Sequence, residues 1–352
     1  MLQVGQPNAP IRVADLIARA VRRSRGRAQL FAGFAYANLA GISALRDASG
    51  GFDWCSATEG RWLVGIDGGI TQPSAVEQLS EISGQEVRLF LPSRRLTPQA
   101  LTSSPKFHAK FLYLQSGRPP RPIFVWVGSA NATSAAIGPH SQNFEAAFSV
   151  TQSNRISWPD ARDFHDWWND AWKLGVPATA SLLDRYSVLR GVFLRHNPGI
   201  LRTIEAPSAS DLKAASSIWF EAGAMSGEMR NQIEFNRELA GFFGHPSPHK
   251  RLIEVQYDGH VYPTRPLTPK KTSYGVRIWR LGLPTRVDYA GKIVHLVRLP
   301  GSSVSTPRFR LDVDEVEGRK AAAWEIRSNR SGYVGATTGA GGKDPRRYGI
   351  YY

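Results

Sequence analysis

The sequence predicts two domains: an α/β domain, a sheet flanked by helices, over residues 1–195, and a mainly β domain over residues 200–352. Three observations carry this expectation. The first half alternates short apolar runs with stretches of helical periodicity, the pattern of helices packed on a sheet. Beyond Gly199 the apolar runs are short and separated by Pro, Gly, Ser and Asn, an all-β texture. A chain of 352 residues suits two domains, and 42% hydrophobic content can fill a core in each.

In order, Arg12 to Ser24 places Val13, Leu16, Ile17, Ala20 and Val21 on one stripe, an amphipathic helix with arginines on its wet side. Ala28–Tyr36 reads as a buried strand and Leu39–Ala48 as a helix. Arg61–Asp67 is a strand ending at the Gly68-Gly69 turn. Pro73–Ser83 is helical, with proline near its start, and Glu86–Pro92 is the next strand. Three strands with short connections follow: Phe107–Leu114, Ile123–Gly128 and Asn143–Val150. Ser157–Leu174 is a helix with Ser157 as cap, and its stripe of Phe164, Trp167, Trp168, Ala171 and Trp172 reads as core or interface. A helix over Ala178–Phe193 leads to the boundary at His196–Gly199. Strand-like runs then fall at 218–223, 251–257, 275–281, 292–299, 308–316 and 322–328, with one helix-like piece at Glu228–Ala240.

Net charge is +15 and both halves are basic, the second more so. A polyanion is the simplest partner, because neutralising phosphates releases condensed counterions. Cys55 is the sole cysteine, which removes intrachain disulfides and zinc sites with two thiolates. No HExxH or EF-hand spacing occurs; metal sites built from His and carboxylate stay open on the residues alone, and no other cofactor is expected. No apolar window is long enough to span a bilayer and no basic-then-apolar leader opens the chain, so a cytoplasmic location is expected. Gly341-Gly342-Lys343 is not a phosphate loop, because Asp344 follows the lysine.

The chemistry concentrates between Phe107 and Phe148. His108 and Lys110 open one strand-like run; Gly128, Ser129, Asn131 and Thr133 follow a second; Asn143 and Glu145 open a third. Charged groups embedded in such runs need partners or a purpose. A lone His-x-Lys is a frequent chance pairing, but the order and spacing of all three pieces together point to a site. Phosphodiester hydrolysis needs a nucleophile, a proton for the leaving oxygen and positive charge on the non-bridging oxygens. His108 suits attack on phosphorus. Lys110, two residues on along a strand, reaches the same face. The turn at Ser129 and Asn131 suits an anion cradle, and Glu145 is expected to orient the histidine.

His108-Ala109-Lys110, Gly128-Ser129-Ala130-Asn131 and Asn143-Phe144-Glu145 together resemble the HKD-type motif of the phospholipase D superfamily. The layout covers about residues 1–190. The motif's aspartate after the lysine is missing; Leu114, Gln115 and Ser116 stand in that neighbourhood, and Glu145 is the later acid of the nuclease branch. Within that branch the whole chain is similar to metal-independent BfiI-type restriction endonucleases, which join this catalytic domain to a B-three-like pseudobarrel that binds DNA. The family's chemistry uses two histidines from two motif copies. This chain carries one copy, so the resemblance implies a homodimer through the catalytic domain.

The resemblance also implies double-stranded DNA as substrate, cut alone or beside a separate helicase-like ATPase subunit, and no membrane partner. Its two DNA-gripping arms would fall at about 205–230 and 325–348. Lys213, Trp219 and Arg230 in the first, and Arg327, Arg330, Lys343, Arg346 and Arg347 in the second, are the candidate contacts. The competing readings are a lipid-directed phosphodiesterase and a non-catalytic DNA-binding protein.

Overall fold

The computed structural model describes residues 2–5, 13–24, 27–102, 105–117, 121–137, 145–151, 161–201, 206–207, 209–223, 225, 230–244, 251–271, 277–302, 307–337 and 346–352. They form two compact units, Met1–Phe193 and Leu194–Tyr352, each a large mixed sheet with helices. The division falls inside the helix Ala180–His196. Among the described residues no helix is long and apolar enough to cross a membrane.

In the first unit β1 (Leu2–Gly5), β2 (Ala28–Phe34), β3 (Thr58–Val64), β4 (Gln85–Phe90), β5 (Lys110–Ser116), β6 (Arg121–Gly128), β7 (Glu145–Thr151) and β8 (Gly175–Pro177) form one sheet. Its order is β1-β7-β6-β5-β2-β3-β4-β8. β2, β3 and β4 run parallel; every other pairing is antiparallel. The helices are α1 (Val13–Arg22), α2 (Leu39–Arg46), α3 (Pro73–Ser80), the single turn α4 (Ser134–Ile137), α5 (Ala161–Lys173) and α6 (Ala180–His196).

Residue alternation divides this core in two. Leu30, Ala32, Phe34, Trp62, Val64, Leu112 and Leu114 pack with α1, α2, α3 and α6. Phe31, Leu63, Phe111 and Tyr113, one position out of step, pack with α5 through Trp168 and Trp172. Successive strand side chains point to opposite faces, so strands covered on both sides read as unbroken apolar runs. The α5 stripe is core at Trp168, whereas Trp167 is half exposed against the Phe111 ring.

The second unit holds α7 (Pro198–Leu201), α8 (Ala209–Ala214), β9 (Ser217–Glu221), β10 (Gln232–Asn236), β11 (Arg251–Tyr257), β12 (His260–Lys271), β13 (Arg277–Gly282), β14 (Lys292–Arg298), β15 (Arg308–Glu315), α9 (Arg319–Ser331), β16 (Gly332–Thr337) and β17 (Arg346–Tyr351). The nine strands are ordered β10-β13-β12-β11-β15-β14-β9-β17-β16, with only β11 and β15 parallel.

Two expectations are corrected here. The run at 322–328 is helical, because Ala321, Trp324, Glu325 and Ser328 are the buried positions and recur at helical spacing. Within the piece expected as helical at Glu228–Ala240, residues 232–236 are strand β10, and a 3-10 turn, Arg237–Phe243, follows, whose Leu239, Phe242 and Phe243 enter the core. β1 and β8 are short edge strands that the sequence reading leaves out.

Candidate active site

One end of the first sheet gathers the polar residues. Lys110 opens β5 opposite Phe34, the last residue of β2. Gly128 closes β6 opposite Ala147, two residues after Glu145 opens β7. His108 lies in the segment that enters β5 and is exposed, whereas Lys110 is only 8% exposed.

Lys110 Nζ donates to the His108 carbonyl oxygen at 2.8 Å and lies 3.1 Å from His108 Nδ1. An ammonium has only donors, so Nδ1 accepts and a neutral ring carries its proton on Nε2. Burial holds the Lys110 pKa below the ordinary lysine value, and the Glu145 charge partly offsets this.

Glu145, 8% exposed, accepts a hydrogen bond from the Ser129 hydroxyl. Ser129 N–H donates to Ala146 O at 3.0 Å, and Ala146 N–H donates to Ser129 Oγ at 3.1 Å. Lys110 stands at Nδ1 of His108, and Ser129 donates to Glu145, because β6 and β7 end side by side and bring those two together.

Asn131 Oδ1 accepts the Tyr36 N–H at 3.1 Å, which leaves the amide nitrogen as the donor end of that side chain. Ala132 N–H donates to Tyr36 O at 3.1 Å and Asn38 N–H to Ala132 O at 2.9 Å, tying the turn after β6 to the chain leaving β2. Gly41 of α2 lies against Ala132; a Cβ there would stand 2.2 Å from the Ala132 oxygen. Asn143 lies outside the described residues.

Gln115 is one of the three residues in the neighbourhood where the expected aspartate is absent. It is buried, its Nε2 donating to Gln29 Oε1 at 2.8 Å and its Oε1 meeting His165 Nε2 at 2.9 Å. A neutral amide joins β5 to β2 and α5 there, where a carboxylate would be a buried charge.

Two neighbours escaped the sequence reading. Asp67, 6% exposed just beyond β3, has its carboxyl pKa raised by burial, an effect that the Lys106 and His108 charges partly offset. Tyr36 has its pKa raised by burial and by the Asp67 charge. The available signal was an acid followed by two glycines at the carboxyl end of a parallel strand, where α/β sheets place ligands. Among the described residues no group of three His, Cys, Asp or Glu converges on a metal position.

No protein-family model and no curated protein matches this chain.

The candidates of the second unit separate by burial. Trp219 is wholly buried and its Nε1 donates to Ser328 Oγ at 2.8 Å, so it is a core residue rather than a DNA contact. Arg347, 3% exposed, meets Glu221 through Nε at 2.7 Å and Glu325 through Nη1 at 2.7 Å; Glu325 also holds Arg195 at 2.8 Å. Its guanidinium is committed to that cluster and is withdrawn from any duplex. Lys213, Arg230 and Arg327 are exposed, with Arg327 5.9 Å from the centre of the Tyr351 ring. Arg330 and Arg346 are half-buried, and Lys343 lies outside the described residues.

Proposed function

We propose that this chain is a restriction-type endonuclease of the phospholipase D superfamily, hydrolysing double-stranded DNA through a phosphohistidine. Its first unit is read as the phospholipase D-like catalytic domain and its second as a B-three-like DNA-binding pseudobarrel. The observation that carries the reading is the Lys110 ammonium 3.1 Å from His108 Nδ1, at the sheet end that also gathers Ser129, Asn131 and Glu145.

In this scheme His108 of one chain attacks phosphorus through Nε2, and the bond to the leaving oxygen breaks. His108 of a second chain gives that oxygen its proton, and water then hydrolyses the phosphohistidine. With Nδ1 accepting from Lys110 the ring is neutral and carries its proton on Nε2; the proton donor of the second chain is instead the imidazolium, protonated on both nitrogens, whose Nδ1 no longer accepts from Lys110. The attacking ring needs its proton on Nδ1, so Lys110 leaves Nδ1 and turns its ammonium to the phosphate. Lys110, Ser129 and the Asn131 amide are the groups for the non-bridging oxygens. Each chain supplies the set once, so the working enzyme is a homodimer through its first unit. The reading also allows a separate helicase or ATPase subunit acting with it.

The test is plasmid cleavage in EDTA, alone and with ATP and cell extract, followed by sequencing of the ends. Cleavage that survives chelation and is lost in His108→Ala is expected. Activity that vanishes on chelation and returns with magnesium refutes the mechanism, and hydrolysis of liposomes without DNA affinity refutes the substrate.

A further inference from the structure

The sheet end that carries His108 extends to the turn leaving β4. β2, β3 and β4 run parallel, so their carboxyl ends lie where antiparallel β5 begins with Lys110. The order β5-β2-β3-β4 puts that turn three strands from Lys110. At a strand spacing of about 4.8 Å the separation is roughly 15 Å. Phe90, the last residue of β4, holds its ring 5.2 Å from that of Phe107, so the root of the turn packs on the segment that carries His108.

The turn is tightly braced. Arg94 N–H donates to Leu91 O at 2.8 Å, and Leu91 N–H donates to Leu174 O at 3.0 Å. Arg94 adopts left-handed backbone at φ 55°, a conformation that a side chain disfavours and that persists only where its surroundings hold it. Its Nη2 donates to Lys173 O at 3.0 Å, one of the open carbonyls that end α5. Ser93 Oγ donates to Arg95 O at 3.0 Å and accepts the Arg95 N–H at 3.3 Å.

Arg94 thus anchors the turn, and Arg95 is what the turn presents. The Arg95 side chain is exposed and forms no hydrogen bond or ion pair among the described residues. Lys106, two residues before His108, is exposed as well and forms no ion pair among them. Acids on the neighbouring elements are engaged or withdrawn: Asp170 pairs with Lys173 at 2.9 Å, Glu86 pairs with Arg88 at 2.9 Å, and Asp67 is buried. A strained, braced turn therefore holds out a guanidinium for which the described residues of the unit have no use. Duplex DNA carries a phosphate every 3.4 Å of axis on each strand, so roughly 15 Å spans about four of them. A phosphodiester bound at His108 and Lys110 places other phosphates of the same duplex at the distance of this turn.

We propose that the turn leaving β4 is a second phosphate-binding element of the first unit, in which Arg95, with Lys106, takes backbone phosphates of duplex DNA outside the one that is cut. The proposal rests on the reading of His108 as the group that reacts with a DNA phosphodiester. Contacts to phosphate position the duplex and carry no sequence information, so base reading stays with the second unit.

The test uses the full chain carrying His108→Ala, so that duplex is bound without being cut. Its affinity for a fluorescein-labelled duplex is measured by anisotropy across a salt series. Adding Arg95→Gln is expected to lower the slope of log K against log salt by about 0.9, and adding Lys106→Gln as well by about 1.8 in all. Arg27→Gln is the control for net charge, since Arg27 precedes β2 at the opposite end of the sheet and pairs with Glu59 at 3.5 Å. It is expected to leave the slope unchanged. An unaltered slope in Arg95→Gln overturns the proposal, and so does an equal loss in Arg27→Gln. Failure of the nuclease reading shows separately, as unaltered protein that binds the duplex and leaves it uncut.

Discussion

Lys110 Nζ sits 3.1 Å from His108 Nδ1 and 2.8 Å from the carbonyl oxygen of the same histidine. One buried cation thus sets both the backbone and the ring of its neighbour two residues away. Lys110→Met is therefore expected to remove a phosphate-neutralising charge and the constraint on the ring together. Single-turnover cleavage should fall by at least about 100-fold. Lys110→Arg should not restore it, since a planar fork does not fit a buried point contact. A rate near that of the unaltered enzyme in either variant would refute the role.

The Ser129 hydroxyl donates to Glu145 and accepts from Ala146 N–H at 3.1 Å. Ser129→Ala deprives a buried carboxylate of that donor, so a stability loss of about 1–3 kcal/mol is expected from urea unfolding. Ser129→Thr, which keeps the hydroxyl, should lose less. Equal losses would show that the hydrogen bond contributes little.

In the second unit, Glu325 joins Arg347 at 2.7 Å and Arg195 at 2.8 Å. Glu325→Gln leaves two arginines short of their anion, one of them buried, and should cost about 3–5 kcal/mol in denaturant unfolding. Arg327→Ala, at an exposed position of α9, should change stability by no more than about 0.5 kcal/mol. If Arg327 touches phosphate, the same variant should lower the salt slope of DNA binding by about 0.9. Fluorescence anisotropy across a salt series reads that slope, and an unchanged slope removes Arg327 from the interface.

His295 is buried on β14, with Nε2 2.8 Å from the Tyr351 hydroxyl and its ring stacked 4.4 Å from Trp324. Burial pushes its pKa below the ordinary 6.5, and the Asp312 charge only partly offsets that. At 3.7 Å from Nδ1 the carboxylate is a charged neighbour rather than a hydrogen-bond partner. The unfolded chain takes up the proton first as pH falls. Stability is therefore fully present above about pH 6.5 and declines as pH drops from there through the lower folded value. Unfolding at pH 7.5 and 5.5 should show the loss, and His295→Gln should flatten it. An equally steep pH dependence in His295→Gln would assign the loss to other groups.

The alternation of the first unit was legible because its central strands are covered on both faces. Such strands leave continuous apolar runs, and α1 and α5 leave stripes of helical period. The second unit is legible as β-rich, yet the run within α9 reads as a strand in the sequence. Its run mixes small, aromatic and charged residues so that period 2 and period 3.6 fit nearly alike. Only the burial of Ala321, Trp324, Glu325 and Ser328 separates them.

By itself the sequence determined the strands that meet at the candidate site and the pairing of His108 with Lys110, a contact between residues two apart. Only the tertiary structure decided which groups meet across the sheet. Glu145 meets Ser129 because β6 and β7 end side by side, and the segment at Phe107 lies against the end of β3 because Gly65 carries no side chain. The same holds for Trp219 and Arg347. Their residue types suit DNA, but the packing of β9, β17 and α9 places one in the core and commits the other to Glu221 and Glu325. Contacts between distant segments depend on register and on which face is covered, and neither is written in local periodicity.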